Sequence, residues 1–475
     1  MRKTIGKAMA ATTSLALALS MAACGSSSEN AEEATKVGGT ITIWTWEQPG
    51  KAFEAAAKGF EEANPGTTVK VENVGNPAIW DKITTGLAAG GQGLPDIMNV
   101  GIDYIGGYMD KFPDAFADLS DYGADDLKDD FPSGVMKSAT RDGKIYGLPF
   151  EVNTGALVYD VKMFEEAGIT EDDISTWDGF IESGKKLKEK TGNYMFGINK
   201  ACTGNANCGD TWQIITALQN SFYFDTDGNI TMNGEAGVKA MELIKEANDA
   251  GIIIELPGTS DDSSWQVQQG NVATLVDRSY LPGVLKTKFP DAKNRWKVTA
   301  LPAVEEGGLR SVVPGATYLS VANASKNKKT AWEFIKYALG TTEGQKAMYE
   351  SQGLFPGYLP FIKEDLNTPD EFFNNENVNE VFIKQLEDET PELNFTGDYA
   401  KALKAMIDAQ VQVLTKGADR RRPWTRLRNV SPTRQAARSP DLIRIRMGSL
   451  EPLHPDGPMS LTINGTPTKG KERQW

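Results

Sequence analysis

The sequence predicts an α/β protein, because strand-like and helix-like segments alternate along most of its 475 residues. The first strand pattern is residues 40–46, where apolar and polar residues alternate after a Gly-Gly pair. An amphipathic helix follows, with Phe53 and Phe60 on one face, and residues 64–66, Asn-Pro-Gly, end it. Such alternation predicts a mainly parallel sheet covered by helices.

The same alternation continues to about residue 340. Strand patterns occupy 68–73, 95–100, 144–149, 156–159 and 272–277, and helix patterns occupy 78–89, 163–167, 181–190, 237–250 and 329–339. The sequence contains no internal repeat, Walker loop or G-x-G-x-x-G motif.

Composition narrows the possible functions. Apolar residues make up 40% and charged residues 24%, which is typical of a globular protein. The net charge of −14 argues against nucleic acid or an anionic membrane as the main partner of the folded body. The single histidine, His454, lies near the C-terminus, which excludes a Ser-His-Asp triad or a His-ligated zinc site in the body. We expect no metal and no cofactor; carboxylate chemistry, as in glycosidases, is not excluded by composition.

The N-terminus predicts export. Residues 1–23 have a basic start and an apolar stretch, as in a secretory signal peptide. Small residues before Cys24 resemble a bacterial lipobox, so we expect lipidation of Cys24, a flexible tether over 24–37 and anchoring to the outer face of the cell membrane. The alternative is an ordinary signal peptide with a chance cysteine.

Two further cysteines, Cys202 and Cys208, enclose five residues. In an exported protein this pair predicts a small-loop disulfide, with two free thiols as the alternative. A metal site would need two more soft ligands, which the body does not supply.

The C-terminal segment 420–475 differs from the body in charge. It holds 12 basic and 4 acidic residues, a balance of +8 against −22 for residues 1–419. If GC-rich codons encode residues 420–429, translation of the same DNA from two bases later gives an acidic, Ala-rich sequence that is typical of a helix. We therefore expect a frameshifted, disordered tail from about 420, and the alternative is a genuine basic tail.

Several motifs, in consistent order from about residue 38 to 418, resemble one known family. They occupy 39–44, 93–97, 142–150, 153–159, 164–169, 176–180, 269–273 and 331–337. This series resembles the family 1 extracellular solute-binding proteins of carbohydrate ABC importers. Residues 111–116 and 391–395 are most similar to the lactose-binding branch.

The resemblance implies a two-lobe periplasmic-binding-protein type II fold, maltose-binding-protein-like, with a ligand cleft between the lobes. It implies an N-lobe of 38–150 plus 303–353 and a C-lobe of 151–302 plus 354–419, with crossings near 150–154, 298–303 and 353–360. The protein would be a monomeric, non-enzymatic receptor for a di- or oligosaccharide. Its partners would be ABC permease subunits with a cytoplasmic ATPase.

A sugar site needs planar polar groups for the hydroxyls and aromatic rings for the C–H face. Residues of both kinds follow predicted strands or match the family's cleft positions. The candidate ligand-binding residues are Trp46, Glu47, Asn76, Trp80, Asp103, Tyr104, Asn153, Trp212, Trp265, Asp277, Arg278, Tyr280, Gly315 and Tyr399.

The resemblance gives some of these residues specific roles. Asp103 matches a sugar-hydroxyl acceptor of maltose-binding proteins, and Tyr280 matches a stacking position. Asn153 stands where those relatives have a carboxylate, so a different sugar is expected. The Arg278 guanidinium suits vicinal hydroxyls, and the alternative is a salt bridge to Asp277.

Two other classes of function remain open from the residues. The acidic body would suit a polyamine-binding protein, and abundant carboxylates would permit a secreted glycosidase. Among sugars, lactose-type disaccharides, arabino- or xylo-oligosaccharides and α-galactosides are all compatible with the sequence.

Overall fold

A computed structural model describes residues 36–203, 208–259, 261–387 and 390–416. The predicted signal peptide 1–23, the lipidation site Cys24, nearly all of the tether and the tail 420–475 lie outside the described residues. The strands are β1 Gly39–Thr45, β2 Thr67–Asn73, β3 Ile97–Gly101, β4 Thr140–Arg141, β5 Lys144–Ile145, β6 Leu148–Asn153, β7 Gly155–Asp160, β8 Phe196–Ile198, β9 Ile253–Glu255, β10 Thr274–Arg278, β11 Trp296–Thr299 and β12 Gly315–Val321.

The α-helices alternate with these strands and confirm the predicted order. They are α1 Glu47–Ala63, α2 Ala78–Ala88, α3 Ile102–Lys111, α4 Ser133–Ser138, α5 Val161–Ala167, α6 Trp177–Thr191, α7 Asp210–Ala217, α8 Glu235–Asp249, α9 Asp262–Gln269, α10 Leu281–Lys288, α11 Lys328–Gly340, α12 Thr342–Gln352, α13 Leu359–Asp365, α14 Asn379–Glu387 and α15 Tyr399–Lys416.

The first sheet has the strand order β2-β1-β3-β12-β6, and we call the part built on it the N-lobe. Strand β1 is parallel to β2 and β3, whereas β12 is antiparallel to β3 and β6. Strands β2, β1, β3 and β6 all run in the same direction, so the expectation of a mainly parallel sheet is confirmed for this half. Strand β12 runs the other way because it enters the sheet from its opposite end, after the chain has passed through the second sheet.

Alternating burial holds the N-lobe together. Ile41 and Ile43 of β1 are fully buried, and helix α1 turns Phe53 and Phe60 toward the same core. Phe60 meets Phe334 of α11 edge-on, with ring centroids 5.4 Å apart. These rings bury a large apolar area between the sheet and its helices, which stabilises the packing of α1 and α11 against the sheet.

The second sheet has the strand order β10-β7-β11, and we call the part built on it the C-lobe. Both pairings are antiparallel, so the expectation of a mainly parallel sheet is wrong for this half. The parallel pair β8-β9 extends this sheet, because the Thr274 N–H donates to the Met195 carbonyl at 2.8 Å. Trp177, Phe180 and Phe196 fill the core beneath it.

Three connecting segments between the sheets hydrogen-bond to one another. The Val152 N–H donates to the Phe355 carbonyl at 3.1 Å, and the Gly155 N–H donates to the Val312 carbonyl at 2.8 Å. Buried Ser279 donates its hydroxyl to the Val152 carbonyl at 2.8 Å. The connectors therefore form one joint beside the strand ends that carry the candidate site.

Candidate ligand cleft

The N-lobe side of the site is built at the carboxyl ends of β1 and β3. Trp46 follows β1 directly, and Glu47 is exposed as the first residue of α1. Asp103 lies in the first turn of α3, which begins where β3 ends. Strand ends of this kind are where α/β sheets bind ligands, so these residues are well placed for one.

Three aromatic residues form a continuous surface beside Asp103, which we call the aromatic platform: Trp46, Trp80 and Tyr104. Trp80 stacks on Tyr104 with centroids 4.2 Å apart and planes 13° apart, and Trp46 meets Trp80 edge-on at 5.6 Å. The Trp80 indole N–H donates to the Asn76 amide oxygen at 3.1 Å, which fixes the ring. The platform offers the rigid π faces that a sugar ring stacks on.

The C-lobe side of the site is a charged cluster around Arg278, at the end of β10. Its guanidinium donates to Asp210 at 2.9 Å and lies 3.9 Å from Asp277. Asp277 is buried and also accepts hydrogen bonds from the Tyr280 hydroxyl, at 2.7 Å, and from the Ser263 hydroxyl. Arg278 is thus held by two carboxylates while part of its side chain stays exposed.

Gly315 and Asn153 lie between the joint and the Arg278 cluster. A Cβ atom on Gly315 would lie 3.3 Å from the Asn153 Cβ and 3.7 Å from the Arg278 Nε, so glycine leaves room for both side chains. The Asn153 Nδ2 donates to the buried Glu151 carboxylate at 2.8 Å. That bond uses the side-chain nitrogen and leaves the side-chain oxygen of Asn153, Oδ1, as an acceptor for a ligand hydroxyl.

Burial changes the ionisation of the carboxyls around the cleft. It raises the pKa of Asp103 to about 6 and that of Glu151 to about 7, and the nearby Arg278 guanidinium opposes both rises. Burial also raises the pKa of Asp277, against the effect of Arg278. The positive charge of Arg278 therefore favours the ionised form of all three carboxyls.

Three of the predicted aromatic residues are less accessible. Trp212 is fully buried in the C-lobe core, where its indole N–H donates to the Gly237 carbonyl at 2.9 Å, so we omit it from the site. Tyr399 is also buried, with its ring 5.2 Å from that of Tyr223 and 4.9 Å from that of Phe395. Trp265 is half-buried on α9, two residues after Ser263.

The structure adds three polar residues that the sequence reasoning missed. Asp210 binds Arg278, Ser263 binds Asp277, and Glu151 binds Asn153. Asp210 and Arg278 are 68 positions apart, and no local pattern links them. The only signal for Glu151 was its place beside Asn153, within the first predicted crossing.

The predicted disulfide between Cys202 and Cys208 is not formed, and both thiols are free. The two thiols interact with each other, which lowers the pKa of Cys202 and raises that of Cys208. Two amides also donate to them: the Gln410 amide donates to Cys202 at 3.5 Å, and the Asn199 amide donates to Cys208 at 3.5 Å. Within the described ranges, no group of three or more His, Cys, Asp or Glu side chains is arranged to hold a metal ion.

Residues 55–373 match the bacterial extracellular solute-binding proteins. The chain belongs to this family. Membership confirms the prediction of a binding protein rather than an enzyme, and it implies that the chain is exported. No helix among the described residues is long and apolar enough to cross a membrane.

Curated relatives of this solute-binding protein cover most of its length. A lactose-binding protein of Rhizobium radiobacter is 30% identical over 80% of this chain and 89% of its own. An arabinooligosaccharide-binding protein of Bacillus subtilis is 28% identical over 82% of this chain and 90% of its own.

Solved structures confirm the maltose-binding-protein-like two-lobe fold. The GacH receptor of Streptomyces glaucescens, solved unliganded and with acarbose, gives a TM-score of 0.69 at 21% identity, covering 82% of this chain and 96% of its own. An ABC-transporter-associated binding protein of B. animalis subsp. lactis, solved in complex with β-1,6-galactobiose, gives a TM-score of 0.68 at 22% identity, covering 83% of this chain and 96% of its own.

Proposed function

We propose that this solute-binding protein captures a di- or oligosaccharide for a carbohydrate ABC importer. The observation that carries the proposal is the pairing of the aromatic platform on the N-lobe with the Arg278 cluster on the C-lobe. Flat apolar faces beside planar donors and acceptors are what a sugar ring requires. The names of the relatives, which bind lactose and arabino-oligosaccharides, agree with it.

The ionisation of the cleft favours a neutral ligand over a polyamine. A polyamine site needs several ionised carboxylates without cationic partners. Here Asp210 and Asp277 already face Arg278, and the pKa values of Asp103 and Glu151 are raised to about 6 and about 7. These carboxyls serve better as hydroxyl acceptors than as counter-ions.

In this proposal the lobes are 38–150 plus 303–353 and 151–302 plus 354–419, and they close around the sugar at the joint beneath Asn153 and Gly315. The ligand contacts come from the platform with Asn76 and Glu47, from Asp103, and from Asn153, Asp277, Arg278 and Tyr280, with Trp265 and Tyr399 at the margin. Export through residues 1–23, lipidation at Cys24, a monomeric receptor and delivery to a permease with its ATPase complete the proposal.

Intrinsic tryptophan fluorescence of the chain beginning after Cys24 tests this function, because Trp46 and Trp80 line the cleft. The chain is titrated with lactose, arabino- and xylo-oligosaccharides, raffinose, maltose and spermidine. A saturable change with one saccharide, abolished in Arg278→Met, supports the proposal. A response to spermidine alone would refute the carbohydrate assignment.

A further inference from the structure

The segment 391–398, which we call the strap, connects α14 to α15 and is anchored in the C-lobe. Its Asn394 amide donates to the Asp225 carbonyl at 2.7 Å. Its Phe395 ring is buried against Phe222 and Tyr399, with both centroid distances at 4.9 Å. These contacts hold the middle of the strap, at Asn394 and Phe395, on C-lobe residues.

The strap also touches helix α3 of the N-lobe. A Cβ atom on Gly106 would lie 3.1 Å from the Phe395 carbonyl oxygen, and one on Gly107 would lie 3.7 Å from the Gly397 Cα. Two glycines inside one helix cost stability, by about 1 kcal/mol each relative to alanine. Here they permit the close approach of the strap backbone to the helix.

The contact lies on the face of α3 that serves the cleft. Asp103 and Gly106 are three residues apart in one helix, so they occupy the same face one turn apart. Tyr399, which follows the strap, is close enough to Asp103 for that carboxylate to contribute, after burial, to raising the pKa of Tyr399. The strap therefore covers the turn of α3 that follows Asp103, on the same face of the helix.

One ion pair joins the strap to the N-lobe a second time. The Lys137 ammonium, on α4, donates to both carboxylate oxygens of Glu392 at 2.7 and 2.8 Å. Both side chains are exposed, so the pair contributes little stability and serves mainly to fix position.

We propose that the strap is a specificity-determining end wall, which closes the cleft beyond Asp103 and restricts the site to short saccharides. The inference rests on the proposed function, because it assumes a sugar chain lying along the cleft. A ligand longer than the space between the strap and the open end would have to displace the strap from Gly106 and Glu392 from Lys137.

The decisive variant is Gly106→Ala, with Gly134→Ala as its control. The new Cβ on Gly106 meets a backbone oxygen, whereas Gly134, which lies in α4, has nothing within 4 Å of the added carbon. Both substitutions favour helix by propensity, so neither is expected to unfold the protein. Any difference in saccharide binding between the two variants is therefore due to the contact between the strap and Gly106.

The probes are arabinobiose with arabinotetraose, and lactose with a lactose-terminated tetrasaccharide, titrated against the full chain. We expect the wild-type chain to bind the disaccharide of one series at least as tightly as its tetrasaccharide. In Gly106→Ala the disaccharide should lose more affinity than the tetrasaccharide, shifting the ratio of their Kd values by about threefold or more. Gly134→Ala should leave that ratio unchanged.

Lys137→Glu and Glu392→Lys should each shift the same ratio in the same direction, and the double exchange should restore it. Equal losses for both chain lengths in Gly106→Ala, or tighter binding of the tetrasaccharide by the wild type, would overturn the end wall while leaving the sugar receptor intact. Silence of the wild type with every saccharide would overturn the proposed function and the end wall together.

Discussion

Replacing Asp103 by Asn should make the unliganded protein more stable and its ligand binding weaker. The carboxyl of Asp103 has its pKa raised from 3.8 to about 6, chiefly by burial. A raised carboxyl pKa means that the folded state binds the proton more tightly than the unfolded state does. Ionised Asp103 therefore opposes folding above about pH 6, and this cost disappears below about pH 4.

The magnitude follows from the shift. Moving the pKa from 3.8 to about 6 costs the folded state about 3 kcal/mol once the group is ionised. Neutralising an acidic residue in the first turn of α3 gives back about 0.3–1 kcal/mol of helix-dipole stabilisation. The net gain for Asp103→Asn at pH 8 is about 2 kcal/mol, which over residues 36–416 corresponds to a Tm increase of about 2–3 °C.

Binding should change in the opposite direction. A ligand hydroxyl loses a charged acceptor and keeps a neutral one, a loss of about 1 kcal/mol or about fivefold in Kd at pH 8. At pH 5 the wild-type carboxyl is mostly protonated, so the two proteins should bind more nearly alike.

Calorimetry and ligand titration at pH 5 and pH 8 measure both effects. Asp178→Asn is the matched control, because Asp178 is exposed in the first turn of α6 and loses only the helix-dipole contribution. If Asp103→Asn lowered the Tm at pH 8 as Asp178→Asn is expected to, the carboxylate would be stabilising and the reasoning from burial would be wrong.

Three further substitutions test other parts of the site. Trp80→Leu removes the ring stacked on Tyr104 and should weaken saccharide binding about tenfold in a fluorescence titration, whereas Trp44→Leu should not. Arg278→Met leaves Asp210 and Asp277 without their cation and should lower the free energy of unfolding by about 2–4 kcal/mol in urea, with the larger loss at pH 8 than at pH 5. Ser279→Ala removes buried hydrogen bonds to Val152 and Thr154 and should cost about 2 kcal/mol in the same assay; an unchanged midpoint would contradict its role in the joint.

The sequence predicts the residues that follow strands better than those that pair between elements distant in sequence. Trp46, Asp103 and Arg278 lie at strand ends in the structure, because strand patterns and their ends are local properties. Asp210 could not be predicted as the partner of Arg278, since their contact depends on how α7 is placed against β10.

Local sequence patterns also did not predict which residues are buried or in which direction β12 runs. The sequence predicts Trp212 as a cleft residue, but the ring is fully buried and packs against Tyr223 with centroids 5.1 Å apart. The antiparallel direction of β12 follows from the path of the chain through the other lobe, which periodicity does not report. The cysteine spacing allowed a disulfide, but it did not reveal the amides of Asn199 and Gln410 that bind the thiols.

The position of β12 has a consequence for the order of folding. This strand lies in the interior of the N-lobe sheet, between β3 and β6, yet it is synthesised more than 150 residues after β6. Until residues 315–321 have left the ribosome, β3 and β6 lack their shared neighbour and the sheet cannot be completed. Contacts so distant in sequence form slowly. The N-lobe of this exported protein therefore cannot reach its native fold until most of the chain has been synthesised.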